Sequence, residues 1–282
     1  MKIIPIQLDA ERIALYSALL KTCFPDTPAN ARKFSIESLV WLYTQNPEGL
    51  AIGFDAFDEE KLVAHYVCIP SAITGDSGPL KALLSLNTAT ADQYQGKGLF
   101  TQLAKATFAA AAQQGFACVY GVANQNSTPG FVRKLGFKLV APLQALIGFG
   151  RFQPPQPNSS LQFQKTWNAT ALKWRCANPA NRIRACRHSS GNGFYADTGY
   201  PLVDAYVEQL GHGFSTEPLC VSQLRLKLVL GLFPQGVPST YFKIPDFLKP
   251  SPLNFIFKPL DSTTSIPDRH AVHFTFLDFD AY

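Results

Sequence analysis

One short segment limits the folds open to this chain more than any other. It is Gln95-Gly96-Lys97-Gly98-Leu99-Phe100, which joins an apolar run, Leu83 to Thr90, to a long amphipathic one. The first run reads as a strand. The second, from about Gly98 to Gln114, sets Leu99, Phe100, Leu103, Ala104, Thr107, Phe108, Ala111 and Ala112 on one stripe at helical spacing, and Gly115 ends it. A strand that hands over to a helix in this way aims consecutive backbone N–H groups, and the positive end of the helix dipole, at one small space. Gly96 and Gly98 keep side chains out of that space. A diphosphate is the ligand chemistry that such a point accepts.

The surrounding pattern places this junction inside a mixed sheet. A short strand over Lys2 to Leu8 precedes a helix over Ala10 to Thr22, and Pro25 and Pro28 break the chain. Ser35 starts a second helix, Ile36 to Gln45, which Asn46-Pro47-Glu48-Gly49 stops. A hairpin follows: Ala51 to Phe57, the polar turn Asp58-Glu59-Glu60-Lys61, and Leu62 to Ile69. Beyond the long helix come a compact strand, Phe116 to Val122, a short helix opened by Asn126-Ser127-Thr128-Pro129, and a strand from Phe137 to Leu146.

Gln153 to Ser160, rich in proline, reads as a linker. At 282 residues the chain is long enough for two domains, here 1–150 and 161–282. In the second, Ile183 to Cys186, Thr240 to Ile244, Leu253 to Pro259 and Val272 to Phe279 read as strands, Cys220 to Leu232 as a helix, and Gly191-Asn192-Gly193 as a turn. Leu172, Trp174, Asn178 and Pro179 echo Leu39, Trp41, Asn46 and Pro47. A duplicated domain and a chance likeness both account for that echo.

Composition narrows the class. With 46% apolar and 16% charged residues the chain folds around a real core, and no apolar run reaches the length of a membrane span. A cytoplasmic location is expected. The six cysteines lack the paired spacing of a zinc site or a disulfide framework, so no metal is expected. The net charge of +5 is spread along the chain, which gives no reason to expect a nucleic-acid partner.

The glycine junction after a strand, the amphipathic helix, the next strand ending near Asn124 and the Lys134-Leu135-Gly136-Phe137 ending together resemble the GNAT superfamily of acetyl-CoA-dependent N-acyltransferases, over roughly residues 1–150. The family pattern Arg/Gln-x-x-Gly-x-Gly/Ala is laid here on Gln95, Gly98 and Phe100, with Phe100 a departure that can point into the core. The resemblance implies an α/β fold with a mixed central sheet flanked by helices. A second, smaller α+β domain, readable as a degenerate repeat, would shape the acceptor site. It implies acetyl-CoA as co-substrate, its diphosphate on the amides of Gln95, Gly96, Lys97, Gly98, Leu99 and Phe100 with Thr101 close by. Its pantetheine would pair with Thr88, Ala89 and Thr90, and Asn124 would lie beside it.

The usual proton carriers are missing: Leu84 stands where the family has a glutamate and Val132 where it often has a tyrosine. Asn87, expected on one strand face with Ser85, is the candidate to orient substrate or water, and His65 is the candidate base if its face opens on the cleft. The final carboxylate at Tyr282, with Asp278 and Asp280, is a further candidate. The favoured function is N-acetylation of a primary amine on a small acceptor, with an amino sugar or polysaccharide precursor preferred. A non-catalytic acyl-CoA-binding module and an aminoacyl transferase built from paired GNAT-like halves are the alternatives.

Overall fold

A computed structural model describes residues 1–76, 78–153, 160–188, 191–210, 225–234, 236–245, 247 and 251–279. The N-terminal part begins with β1 (Lys2–Pro5) and three helices, α1 (Ala10–Cys23), α2 (Pro28–Lys33) and α3 (Ile36–Thr44). Each helix starts where a short polar side chain accepts a first-turn N–H: Asp9 from Arg12, Thr27 from Asn30 and Ser35 from Ser38. Then come β2 (Ile52–Asp58), β3 (Lys61–Gly75), β4 (Gly78–Thr90), α4 (Leu99–Gln113), β5 (Cys118–Asn124), β6 (Lys138–Pro142) and β7 (Gln144–Gly148). The strands β1 to β5 lie side by side in chain order, antiparallel except that β4 runs parallel to β5.

The C-terminal part contributes β8 (Phe163–Lys165), α5 (Ala169–Cys176), β9 (Arg184–His188), β10 (Gly191–Asp197), β11 (Val203–Leu210), β12 (Leu226–Leu232), β13 (Tyr241–Lys243), β14 (Leu253–Pro259) and β15 (Val272–Thr275). The strand expected over Val272 to Phe279 ends at Thr275, where the Asp278 side chain caps a 3-10 turn over Phe276–Asp278, and two further readings of the sequence fail here. The stretch expected as a helix around 220–232 holds β12, and Gly191-Asn192-Gly193 opens β10 instead of turning. Leu226, Leu228, Leu230 and Leu232 alternate with other residues, a period-two pattern that sits within an apolar run and is ambiguous on its own.

Hydrogen bonding crosses the expected boundary near residue 150 in both directions. From the C-terminal part β14 inserts antiparallel between β5 and β6, and from the N-terminal part β7 inserts antiparallel between β12 and β13. The succession β9, β10, β11, β12 repeats that of β2, β3, β4, β5: antiparallel, antiparallel, parallel. The echoing tryptophans meet. Trp41 and Trp174 stack at 4.7 Å and 17°, and each indole N–H donates to the other residue's carbonyl, at 3.1 and 3.2 Å. Asn46 and Asn178 each accept the N–H two residues on. The two halves are thus tied by β14 and β7, each inserted among the other half's strands, by β8 beside β3, and by a reciprocal helix contact.

Around the N-terminal sheet the core has two layers. On one side α4 packs Leu99, Leu103 and Phe108 against Val63, Tyr66 and Leu83. On the other, α1 and α3 meet Val67, Leu84 and Tyr120 together with Phe163, Phe255 and Phe274 from the C-terminal part. Burial of this many aromatic side chains, each hiding roughly 150–250 Å², is the main source of stability.

Candidate active site

The loop after β4 is built to present amides. A short turn, Asp92–Tyr94, brings Gln95 back so that its N–H donates to the Asp92 carbonyl at 3.2 Å and its side-chain Nε2 donates to Asp92 Oδ1 at 2.9 Å. Gly96 and Gly98 follow with φ of 76° and 78°, values a side chain resists, and Gly98 is the N-cap of α4. Among the described residues, the N–H groups of Gly96 through Thr101 have no carbonyl partner. The Gln95 amide, expected to be one of the donors, is already spent.

This geometry corrects the register of the motif. The pattern Arg/Gln-x-x-Gly-x-Gly/Ala is met without departure two residues earlier, by Gln93, Gly96 and Gly98. The last glycine falls where the chain bends into the helix, and Phe100 lies outside the pattern. Its ring is set edge-on to Phe131 at 5.2 Å and to Tyr66 at 6.0 Å. Gly130 makes room for it, since a Cβ there would lie 3.3 Å from the ring.

A groove of about 310 Å³ runs past these amides, lined also by Thr88 and Thr90 of β4 and by Asn126, Ser127, Gly130 and Lys134. Ala89 turns its side chain into the opposite core. Asn124 does not line the groove. Its Oδ1 accepts the N–H groups of Asn126 at 3.1 Å and Ser127 at 2.9 Å, so it folds the turn that carries the lining residues. Asn126, Ser127 and Lys134 were missed by sequence reasoning, although the Asn-x-Asn-Ser run signals such a turn.

The sheet opens beside the groove. The parallel ladder of β4 and β5 runs from Ala82 opposite Cys118 to Ser85 opposite Gly121 and stops there. The cause lies in β4, where Asn87 adopts φ 46° and the β3 pairing shifts between His65 and Val67, a bulge that twists the strand away. On the far edge β14 keeps hold of β5 along its full length. The bulge also separates Ser85 from Asn87. Ser85 bonds to Tyr66 at 2.8 Å on the α4 side, whereas Asn87 Nδ2 donates to Tyr43 Oη at 3.1 Å on the α3 side.

From Asn87 a chain of polar groups leads inward. Tyr43 Oη lies 3.4 Å from His65 Nε2, His65 Nδ1 lies 2.7 Å from Asp55 Oδ1, and Tyr16 donates to Asp55 Oδ2 at 2.8 Å. The carboxylate assigns the Nδ1 proton, and Nε2 faces the Tyr43 hydroxyl. His65 is wholly buried and stacked on Tyr16 at 4.2 Å. It does not open onto the cleft, so it cannot meet a substrate as a direct base. The two sequence candidates, Asn87 and His65, are nevertheless joined through Tyr43.

A second polar group stands next to Leu84. Tyr120, opposite Leu84 on β5, bonds Ser71 Oγ at 2.8 Å, and Lys165 Nζ donates to the same Oγ at 2.8 Å. Burial pushes the Lys165 ammonium down to about 8 and raises the Asp278 carboxyl. Asp278 accepts from Trp167 Nε1 at 2.9 Å and from the Thr275 N–H at 2.6 Å. It is a buried cap of the last turn; Asp280 and Tyr282 lie outside the described residues. Among the described residues no cluster of three or more His, Cys, Asp or Glu could hold a metal, and no helix is long and apolar enough to cross a membrane.

The family model described as an acetyltransferase (GNAT) domain matches residues 5–140. The chain carries a GNAT acetyltransferase domain. A search of curated protein sequences finds no match. Among solved structures, a probable N-acyltransferase from Enterococcus faecalis is similar at TM-score 0.64 and 11% identity, covering 94% of this chain and 74% of that one. A GCN5-related N-acetyltransferase from Kribbella flavida gives 0.64 and 12%, over 93% and 72%. Eis1 from Mycobacterium abscessus gives 0.59 and 10%, over 93% and 74%. At these identities the likeness is one of fold, and it spans both parts of the chain. The GNAT domain over residues 5–140 supports acyltransferase activity.

Proposed function

We propose that the protein transfers an acetyl group from acetyl-CoA, drawn from the cytoplasmic pool, to a primary amine on a small acceptor. The observation that carries this reading is the row of unpartnered N–H groups from Gly96 to Thr101 at the mouth of an opened sheet. Fixed dipoles at a helix N-terminus hold a diphosphate without a reorganisation cost. Lys134, which lines the same groove, adds a positive charge. Pantetheine then follows the edge of β4 that β5 leaves after Ser85, pairing with the backbone of Thr88 to Thr90 as an added strand. That path points the thioester at the bulge.

Asn87 and His65 serve this reaction by shape. The Asp55–His65–Tyr43 chain holds the Asn87 carboxamide, and with it the left-handed backbone that keeps the sheet open. The acceptor approaches from the α3 side, where the C-terminal part covers the sheet; an amino sugar or related polysaccharide precursor is the preferred class. The 161–282 part, read as a degenerate repeat of the first, walls that approach.

Calorimetry with acetyl-CoA, followed by thiol release with a panel of amines that includes amino sugars, tests the proposal. Acetyl-CoA binding, with thiol released only when an amine is present, is the expected result. Absence of binding overturns it, and binding without release for every amine replaces it with a non-catalytic acyl-CoA module.

A further inference from the structure

The GNAT domain has leucine, Leu84, where a carboxylate base is expected, yet the protein buries a lysine beside it. Lys165 comes from β8 in the C-terminal part, pairing there with Ile73 of β3. Its ammonium reaches Ser71 Oγ at 2.8 Å, and Ser71 is within 2.8 Å of Tyr120 Oη. All three side chains are buried, and with Leu84 and Leu86 they line one small cavity on the acceptor side of the opening between β4 and β5. At about 20 Å³ it has room for a single water. A buried cation has no packing advantage over leucine or methionine at this position, and desolvation of a charge is costly.

We propose that Tyr120 is the catalytic proton acceptor of the acyl transfer, and that Lys165 is a positioning residue that takes the proton onward through Ser71. This rests on the acyl-transfer reading above. As the amine nitrogen forms its bond to the thioester carbon, its surplus proton passes, over a water in that cavity, to Tyr120 Oη. Tyr120 gives its own proton to Ser71 Oγ, and Ser71 gives its own to the uncharged Lys165 amine, which becomes an ammonium. The carbon–sulfur bond breaks, the thiolate leaves and takes a proton from water, and Lys165 returns its proton to solvent. Each atom ends the cycle as it began, and the net change is one amide and one free thiol.

The charged groups facing Lys165 are Asp278 from the last turn, Glu48 from the segment after α3 and Arg175 from α5. The two carboxylates favour the ammonium and Arg175 opposes it, but burial outweighs them and leaves Lys165 near 8, where a proton can be taken and returned.

The test is kcat against pH for the whole protein and two variants, with acetyl-CoA affinity and thermal midpoint as controls. The wild type is expected to gain activity through a limb near pH 8, as Lys165 loses its charge. Tyr120→Phe should lose about 100-fold or more in kcat with acetyl-CoA affinity within twofold of wild type, and Lys165→Met should lose the limb. If a variant fails to fold, the wild type decides: the NMR titration of its ¹³Cε-labelled Lys165 should have a midpoint within about a unit of 8, and a midpoint above 10 overturns the proposal. A Tyr120→Phe enzyme as fast as wild type, or a limb unchanged in Lys165→Met, overturns it while the acyl-transfer reading stands. A wild type that releases no thiol with any amine overturns that reading and this one with it.

Discussion

Replacing Gly96 by alanine separates two consequences of its backbone. The residue sits at φ 76°, where a Cβ costs about 1–2 kcal/mol. A Cβ there would meet nothing within 4 Å, so the methyl projects into open space at a residue that lines the groove proposed for the diphosphate. Strain is present with or without ligand and cancels in an affinity; obstruction appears only when ligand binds. Gly115 supplies the control, since it has φ 78° and equally open surroundings but lies at the other end of α4. Both alanine variants should lose roughly 2–8 °C in thermal midpoint. Gly96→Ala alone should weaken acetyl-CoA binding, by the loss of one hydrogen bond to a charged group, about 1.5–3 kcal/mol or roughly 10- to 150-fold. Differential scanning fluorimetry and calorimetry read the two effects. Equal acetyl-CoA affinities for the two variants would refute the assignment of the diphosphate to this loop.

Asp55→Ala should cost about 2–5 kcal/mol in urea unfolding, because it strips the acceptor from the buried His65 and Tyr16 donors. Trp41→Ala should cost about 3–5 kcal/mol, since it empties the stack with Trp174 and breaks the bond from its indole. His273 is held down to about 4 by burial, against 6.5 for the free side chain. Between these values the unfolded chain binds a proton that the folded one refuses, so stability is full above pH 6.5 and falls as pH drops to 4. The loss is about 3 kcal/mol, and His273→Leu should flatten that part of the pH profile of urea midpoints.

The N-terminal sheet was legible because its signals are local. Asp9 and Ser35 cap helices from adjacent positions, and the glycines of the junction sit within eight residues of the strand and helix they join. What escaped reading depends on partners far along the chain. Nothing near Leu253 tells that β14 will lie beside β5, more than a hundred residues earlier. The Leu226–Leu232 run shows alternation, but an apolar run of this length also fits a helix, and its parallel partner β11 is not marked by local sequence.

At the site, strict alternation along β4 put Ser85 and Asn87 on one face, and a single bulge sent them to opposite layers. That bulge is a tertiary outcome, supported by Tyr43, His65 and Asp55 from three other elements. Lys165, Ser71 and Tyr120 stand on three strands and share no motif. Gly98 fits two frames of the motif, but the sequence meets the pattern in full only on Gln93, Gly96 and Gly98, in keeping with Gly98 as the N-cap of α4.

The central claim is that acetyl-CoA enters the opening between β4 and β5 with its diphosphate on the main chain of α4's first turn. A crystal structure of the complex tests this most directly. Diphosphate oxygens about 2.7–3.1 Å from backbone nitrogens between Gly96 and Thr101, with the thioester beyond Thr88, is the predicted result. A donor bound on another face, with those six amides turned to water, would contradict it.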